Sequence, residues 1–200
     1  MPYRTKGRLR GAASPPKIAP LHTGFANPTM KSLPKSALIA AIVVILALGG
    51  YLGWSALEQK PAAPNASFTL LDGKTVDLSA YRGKVVMVNF WATSCTTCVG
   101  EMPELVQTYD ALHPKGFHIV AVAMSYDNPT FVRNFAQQRQ LPFSVAYDAS
   151  GQAARAFQNV RLTPTSFLID KSGRIVKEYV GPPNFAELHS LIDQLLAQPA

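Results

Sequence analysis

Cysteine is the scarcest reactive residue of this chain: there are two in 200 residues, Cys95 and Cys98, with two threonines between them. So few thiols exclude a scaffold stapled by several disulfides. They also exclude a four-thiolate zinc site, because tetrahedral zinc would need two further ligands and there is no second cysteine pair. Acidic residues are missing from residues 1–35, which carry Arg4, Lys6, Arg8, Arg10, Lys17, Lys31 and Lys35. Those seven cations equal the whole net charge of +7. Of the 19 Lys and Arg, twelve remain beyond residue 35 against twelve Asp and Glu, so the rest of the chain sums to zero. A neutral remainder gives no electrostatic case for binding nucleic acid. Charge of either sign is missing from residues 37–55, and no internal repeat is visible.

The uncharged run spans 19 positions, close to the ~20 that cross a bilayer as a helix. Ile42, Val43, Val44 and Ile45 lie at its centre, and Tyr51 and Trp54 stand at its far end as interfacial anchors would. The basic flank assigns the N-terminus to the cytoplasm and the C-terminal part beyond the membrane. The run is longer than the apolar region of a signal peptide, so an uncleaved anchor is expected, although Ser55-Ala56 and Ala62-Ala63 are small enough for cleavage. The expected organisation is a basic disordered cytoplasmic tail (1–35), a transmembrane anchor (36–56), a linker containing Pro61 and Pro64 (57–65), and a globular domain (66–200). Met30, followed by Lys31-Ser32-Leu33-Pro34-Lys35, would itself make a short basic start, so residues 1–29 are read as the product of an upstream start.

Within the domain, Asp72-Gly73 joins two short strands as a hairpin. Residues 85–91 are a buried strand and 95–112 a helix, with Val99, Met102, Leu105, Val106, Tyr109 and Leu112 on one face. A second buried strand covers 117–124. Asn128-Pro129 starts a helix that ends before Pro142. A short strand (143–147), a short helix (152–157), a hairpin (165–170 and 174–180) and a last helix capped by Asn184 complete the chain. This order predicts an α/β sandwich with a mixed sheet.

A dithiol between a strand and a helix is a redox device. The thiolate is the attacking species, and unpaired N–H groups at a helix N-terminus stabilise it. Cys95, at the first position, is expected to carry the lowered pKa, and Cys98, one turn inside, to be the more buried. Three alternatives stay open. A structural disulfide would close a loop too short to add much stability. Copper(I) could sit on two thiolates, alone or with one histidine. His22, His113, His118 and His189 show no ligand spacing among themselves. A thiol peroxidase is the third, because Leu78-Ser79-Ala80-Tyr81-Arg82-Gly83-Lys84 resembles the opening segment of peroxiredoxins.

The segment Phe90-Trp91-Ala92-Thr93-Ser94-Cys95-Thr96-Thr97-Cys98 closely resembles the active-site turn of thioredoxin-fold proteins, which form a three-layer sandwich. Glu101-Met102-Pro103, the apolar segment upstream, and Leu162-Thr163-Pro164-Thr165-Ser166-Phe167-Leu168-Ile169-Asp170 narrow it. Together they resemble the membrane-anchored TlpA/ResA-type thiol-disulfide oxidoreductases, over roughly residues 66–200. The resemblance implies that Cys95 attacks, Cys98 resolves, and Glu101 manages their protons. It implies that Trp91, Thr163 and Pro164 bind substrate, Pro164 being cis, and that residues 127–149 are an insertion relative to plain thioredoxin. It implies no cofactor beyond a redox-active Cys95–Cys98 disulfide. The implied partners are client proteins with disulfides (apocytochrome c or copper-delivery proteins) and a transmembrane thiol electron donor. The implied location is the cytoplasmic membrane, single-pass, with the domain in the periplasm or extracytoplasmic space. Two departures stand out. Asn89 occupies the position, six before the first cysteine, where thioredoxin has a buried Asp. Ser94 stands where many relatives have Trp, and the inner dipeptide is Thr-Thr, whose hydroxyls are expected to reach the thiolate.

Overall fold

The computed structural model describes residues 35–57 and 60–199. The expected basic tail therefore lies outside the described residues apart from Lys35, as do residues 58 and 59 of the expected linker. The chain forms two compact units that divide between Gly53 and Trp54. Helix α1 is Lys35–Leu57. Along it Ile39, Ile42, Val43, Val44, Ile45, Leu46 and Leu48 are exposed. Among the described residues no helix is long and apolar enough to cross a membrane.

The domain is built on two buried strands. β3 (Val85–Trp91) is buried at all seven positions, and β4 (Phe117–Ala123) pairs with it in parallel, Val85 opposite Phe117 and Trp91 opposite Ala123. A strand covered on both faces reads as a near-continuous apolar run, and these two do, apart from Asn89 and His118. β1 (Ser67–Thr69) and β2 (Thr75–Asp77) form the separate hairpin turned by Asp72-Gly73, where Gly73 has φ +86. β5 (Ser144–Tyr147) adds in parallel to β4, while β6 (Thr165–Ile169) and β7 (Ile175–Val180) are antiparallel. The sheet order is β5-β4-β3-β6-β7, the expected mixed sheet.

Alternation along β3 distributes its side chains to two cores. Val85, Met87 and Trp91 join Met102, Leu105 and Leu112 of α2 (Thr96–Leu112), Val132 of α3 (Pro129–Gln138), and Leu188, Ile192 and Leu195 of α5 (Phe185–Ala197). Val86, Val88 and Phe90 face Phe68, Phe157, and Ala153 and Ala154 of α4 (Gln152–Ala156). The three layers are thus helices, sheet, and a second layer of helix and hairpin. The helix starts are chemically satisfied. Asn128 accepts from Thr130 N, with Pro129 at the first position, and Asn184 accepts from Glu187 N.

The sequence-based linker is shorter than expected. Ile175 N donates to Pro61 O, Ala62 bridges Arg174, and Ala63 N donates to Gly173 O. Residues 61–63 therefore belong to the domain as a strap on the β6–β7 turn. Proline fits there because a strand edge does not need every N–H.

Candidate active site

Strand β3 ends at Trp91 and α2 begins at Thr96, so the chain turns through Ala92–Cys95 at the sheet's C-terminal edge. Cys95 N donates to Ala92 O at 3.1 Å, closing the turn. Cys95 is the N-cap of α2, one position before the helix proper. Its sulfur accepts the Cys98 N–H at 3.1 Å, the role an Asp or Ser oxygen commonly fills at a helix start. That donor and the positive helix end favour sulfur as an anion. The two cysteines are joined by a disulfide with Cα atoms 5.2 Å apart. Cys95 is half-buried and Cys98 wholly buried, so only the first is open to an incoming chain. Thr96 and Thr97 are exposed. Among the described hydrogen bonds neither hydroxyl reaches Cys95 in the disulfide form; the expectation concerned the thiolate.

The opposite wall is the loop before β6. The Thr163–Pro164 bond is cis, and Thr163 O lies 3.5 Å from Cys95 Sγ. Thr163 and Pro164 are therefore brought to the reactive sulfur. Trp91 is not. Its ring is completely buried against Phe135, centroids 5.2 Å apart, because β3 alternation sends it under α2 and α3. Trp91 is a core residue here, and the expectation that it touches substrate is corrected.

Beneath the disulfide lies a polar pocket in an apolar layer. Glu101, one turn beyond Cys98 on α2, is only 5% exposed. Asn89 of β3 donates one amide N–H to Glu101 Oε1 at 3.0 Å and another to Ser166 Oγ of β6 at 2.9 Å. Burial pushes the Glu101 carboxyl up to about 7, with the Asn89 hydrogen bond acting in the opposite direction. Glu101 Oε2 and Asn89 Oδ1 are buried without partners. A carboxyl poised near neutrality can hold or release a proton as the sulfur pair opens and closes.

Two residues of the site, Asp127 and Tyr126, were not singled out from sequence. Asp127 is buried, and its oxygens accept from Thr93 N and Thr93 Oγ1, both at 2.6 Å. Tyr126 OH lies 3.2 Å from Thr163 Oγ1. Asp127 had one sequence signal, its place directly after a buried parallel strand and so at the same sheet edge as the cysteines.

The histidines bear on the metal alternative. His113 and His118 pack with ring centroids 4.8 Å apart, although their spacing suggested no association. His113 Nδ1 is 3.1 Å from Phe117 O, and burial with nearby Lys84 and His113 pulls His118 down to about 4. Among the described residues no three His, Cys, Asp or Glu side chains gather as a metal site.

The comparisons match this geometry. The Redoxin family model covers residues 58–194. The thiol-disulfide oxidoreductase ResA of Bacillus cereus is 33% identical over 173 residues, spanning 82% of this chain and 99% of the relative. The ResA of Bacillus subtilis is 31% identical, spanning 76% and 87%. The crystal structure of a thiol:disulfide interchange protein from Chlorobium tepidum, 30% identical, covers 70% of this chain and 98% of that one with a TM-score of 0.63. With a cysteine pair at a strand-to-helix turn facing a cis-proline, and with relatives matched over nearly their whole length, the chain belongs to the redoxin family as a ResA-like protein disulfide oxidoreductase of the thioredoxin fold.

Proposed function

We propose that the protein is a membrane-anchored reductase of client disulfides outside the cytoplasm. The observation that carries the chemistry is the contrast between a half-buried Cys95 at a helix N-cap and a fully buried Cys98 whose N–H points at it. In the reduced enzyme the Cys95 thiolate attacks one sulfur of a client disulfide. A Cys95–client bond forms, the client S–S bond breaks, and the leaving thiolate takes a proton. Cys98 then loses its proton, for which Glu101 in its carboxylate form is the acceptor one turn along α2. The Cys98 thiolate attacks Cys95 Sγ, the client departs with two thiols, and the Cys95–Cys98 disulfide closes. Two electrons have moved to the client, and a thiol donor must return them.

Several observations support the remaining parts of this reading. Outside α1, the exposed large apolar side chains among the described residues are Tyr126, Phe131, Leu162 and Val180. Tyr126 and Leu162 flank Thr163, and Val180 pairs with Thr165, so an apolar rim surrounds the reactive sulfur and suits a polypeptide client. The proposed clients are apocytochrome c or copper-delivery protein thiols, and the proposed donor is a transmembrane thiol carrier. The anchor is supported by the uncharged run 37–55 between a basic flank and the domain. It is also supported by the extent of the likeness to the B. cereus relative: 82% of 200 residues exceeds the 141 residues from Lys60 onward, so the match runs back into α1. The proposed domains are the tail, an anchor at 36–56 and the thioredoxin-like unit. An oxidising compartment explains why a dedicated reductant would be needed there.

A Cys98→Ala variant is expected to trap its client as a mixed disulfide through Cys95, which mass spectrometry would identify. Recovery of no such adduct while the donor is active, or hydrogen peroxide consumed rapidly with insulin disulfides left intact, would overturn the reductase reading.

A further inference from the structure

The short loop after β4 touches both walls of the site. Asp127 is 8% exposed, and its two carboxylate oxygens are taken up by the cysteine turn. Oδ2 accepts from Thr93 N at 2.6 Å, and Oδ1 accepts from Thr93 Oγ1 at 2.6 Å and from Asn128 N at 2.8 Å. Thr93 lies two residues before Cys95, inside the turn that Cys95 N closes on Ala92 O. The preceding residue reaches the other way. Tyr126 OH is 3.2 Å from Thr163 Oγ1, and the carbonyl of the same Thr163 faces Cys95 Sγ at 3.5 Å. The loop itself is held from two sides. Tyr147 OH lies 3.2 Å from Ser125 O and 3.1 Å from Asp127 O, and Met124 N donates to Trp91 O at 3.0 Å. Consecutive side chains of one anchored loop thus grip the cysteine turn and the cis-proline loop, which come from β3 and β6 and share no covalent path nearby.

We propose that Tyr126–Asp127 is a brace that fixes the distance between Cys95 and the Thr163 carbonyl, Asp127 positioning the cysteine turn and Tyr126 the substrate-pairing loop. The inference rests on Cys95 being the attacking thiol. Disulfide exchange needs three sulfurs in line, so a client strand pinned by one wall must meet a sulfur pinned by the other. Charge-assisted hydrogen bonds from a buried carboxylate are well suited to such pinning, being shorter and stronger than neutral ones. Asparagine at 127 cannot reproduce them. Whichever way its amide is turned, one N–H donor would face either the Thr93 or the Asn128 N–H.

The test compares Asp127→Asn, Thr93→Ser and Tyr126→Phe in the full-length chain held in detergent. Three readouts are needed: insulin turnover, thermal unfolding, and the pH midpoint of Cys95 alkylation in a Cys98→Ala background. Asp127→Asn removes a negative charge from the cysteine turn, so the alkylation midpoint should fall, giving more thiolate at neutral pH. Turnover should nevertheless drop about tenfold or more, because the sulfur is no longer held in line. Thr93→Ser keeps both donors and should match the parent. Tyr126→Phe should lower kcat/KM severalfold without moving the midpoint. The proposal is overturned if Asp127→Asn turns over insulin like the parent per folded molecule and only its unfolding temperature falls. It is equally overturned if Thr93→Ser is as slow as Asp127→Asn. Failure of the underlying reading looks different: Cys95→Ser in the unaltered parent would then keep its insulin activity.

Discussion

Glu101 is the residue whose environment differs most from what its type suggests. A carboxyl pushed up to about 7 when folded, from its usual 4.5, binds more protons in the native state than in the unfolded one across that interval. Its contribution to stability is whole below pH 4.5 and is lost as pH rises through about 7, on the order of 3 kcal/mol in all. Glu101→Gln is therefore expected to flatten the decline of unfolding free energy between pH 4.5 and 7, measured by urea titration at a series of pH values. His118 acts with the opposite sign between about 4 and 6.5, and it is common to parent and variant, so it cancels in the difference. The same variant should lose the limb of the insulin-reduction pH profile that rises through about 7 as Glu101 ionises. The cysteines were legible at this scale because their chemistry is local. The identity of Glu101 as a buried group was only half legible. The family resemblance gave it a role one turn beyond Cys98, but nothing local named Asn89 and Ser166 as its neighbours. Asp127 was illegible for the same reason. Asp-Asn-Pro reads as a helix start, and its carboxylate works on a residue 34 positions away.

At the scale of elements, α2 does two jobs with one amphipathic pattern. Its inner side presents Met102, Leu105 and Leu112 to the core while its N-terminus presents sulfur to the solvent edge. The helix tolerates Pro103 in its interior at the loss of one backbone bond because the apolar side holds it down. Leu105→Ala, at a fully buried position, should cost about 2–5 kcal/mol in urea unfolding while leaving the chemistry of Cys95 in the remaining folded fraction unchanged. A cost below about 1 kcal/mol would show that the core closes over the missing side chain instead of keeping a cavity. The elements themselves were readable because each has one period. β3 and β4 are apolar runs interrupted once each, by Asn89 and His118, α3 and α5 carry Asn caps, and Asp72-Gly73 turns a hairpin. Trp91 shows where such reading stops. Placing it on a strand was straightforward, but only its parity with Val85 and Met87 tells that its ring goes under a helix instead of toward a client. The two prolines at 61 and 64 gave the opposite error. Their composition suggested a free linker, whereas Pro61 O and Ala62 pair with the β6–β7 turn, a long-range contact that composition does not carry.

For the whole molecule, the domain's described contacts begin at Lys60, whose carbonyl accepts from Arg174 Nη1 at 2.9 Å, which predicts that a chain starting at Lys60 folds and reduces insulin with the parent's kcat. It should remain in the soluble fraction after ultracentrifugation, while the full chain sediments with membranes. Equal partition of the two forms would remove the anchor from the proposed function. The strap at residues 61–63 has one more implication. β6 runs antiparallel to β3, so the turn that receives the strap lies beside Val85 and the cysteine turn lies beyond Trp91. Seven residues of strand separate them, roughly 20 Å. The polypeptide thus enters the domain at the pole opposite its reactive sulfur. If the proposed anchor holds the chain there, the working end stays unobstructed, and a client and the proposed electron donor can each approach Cys95 without first displacing a tether.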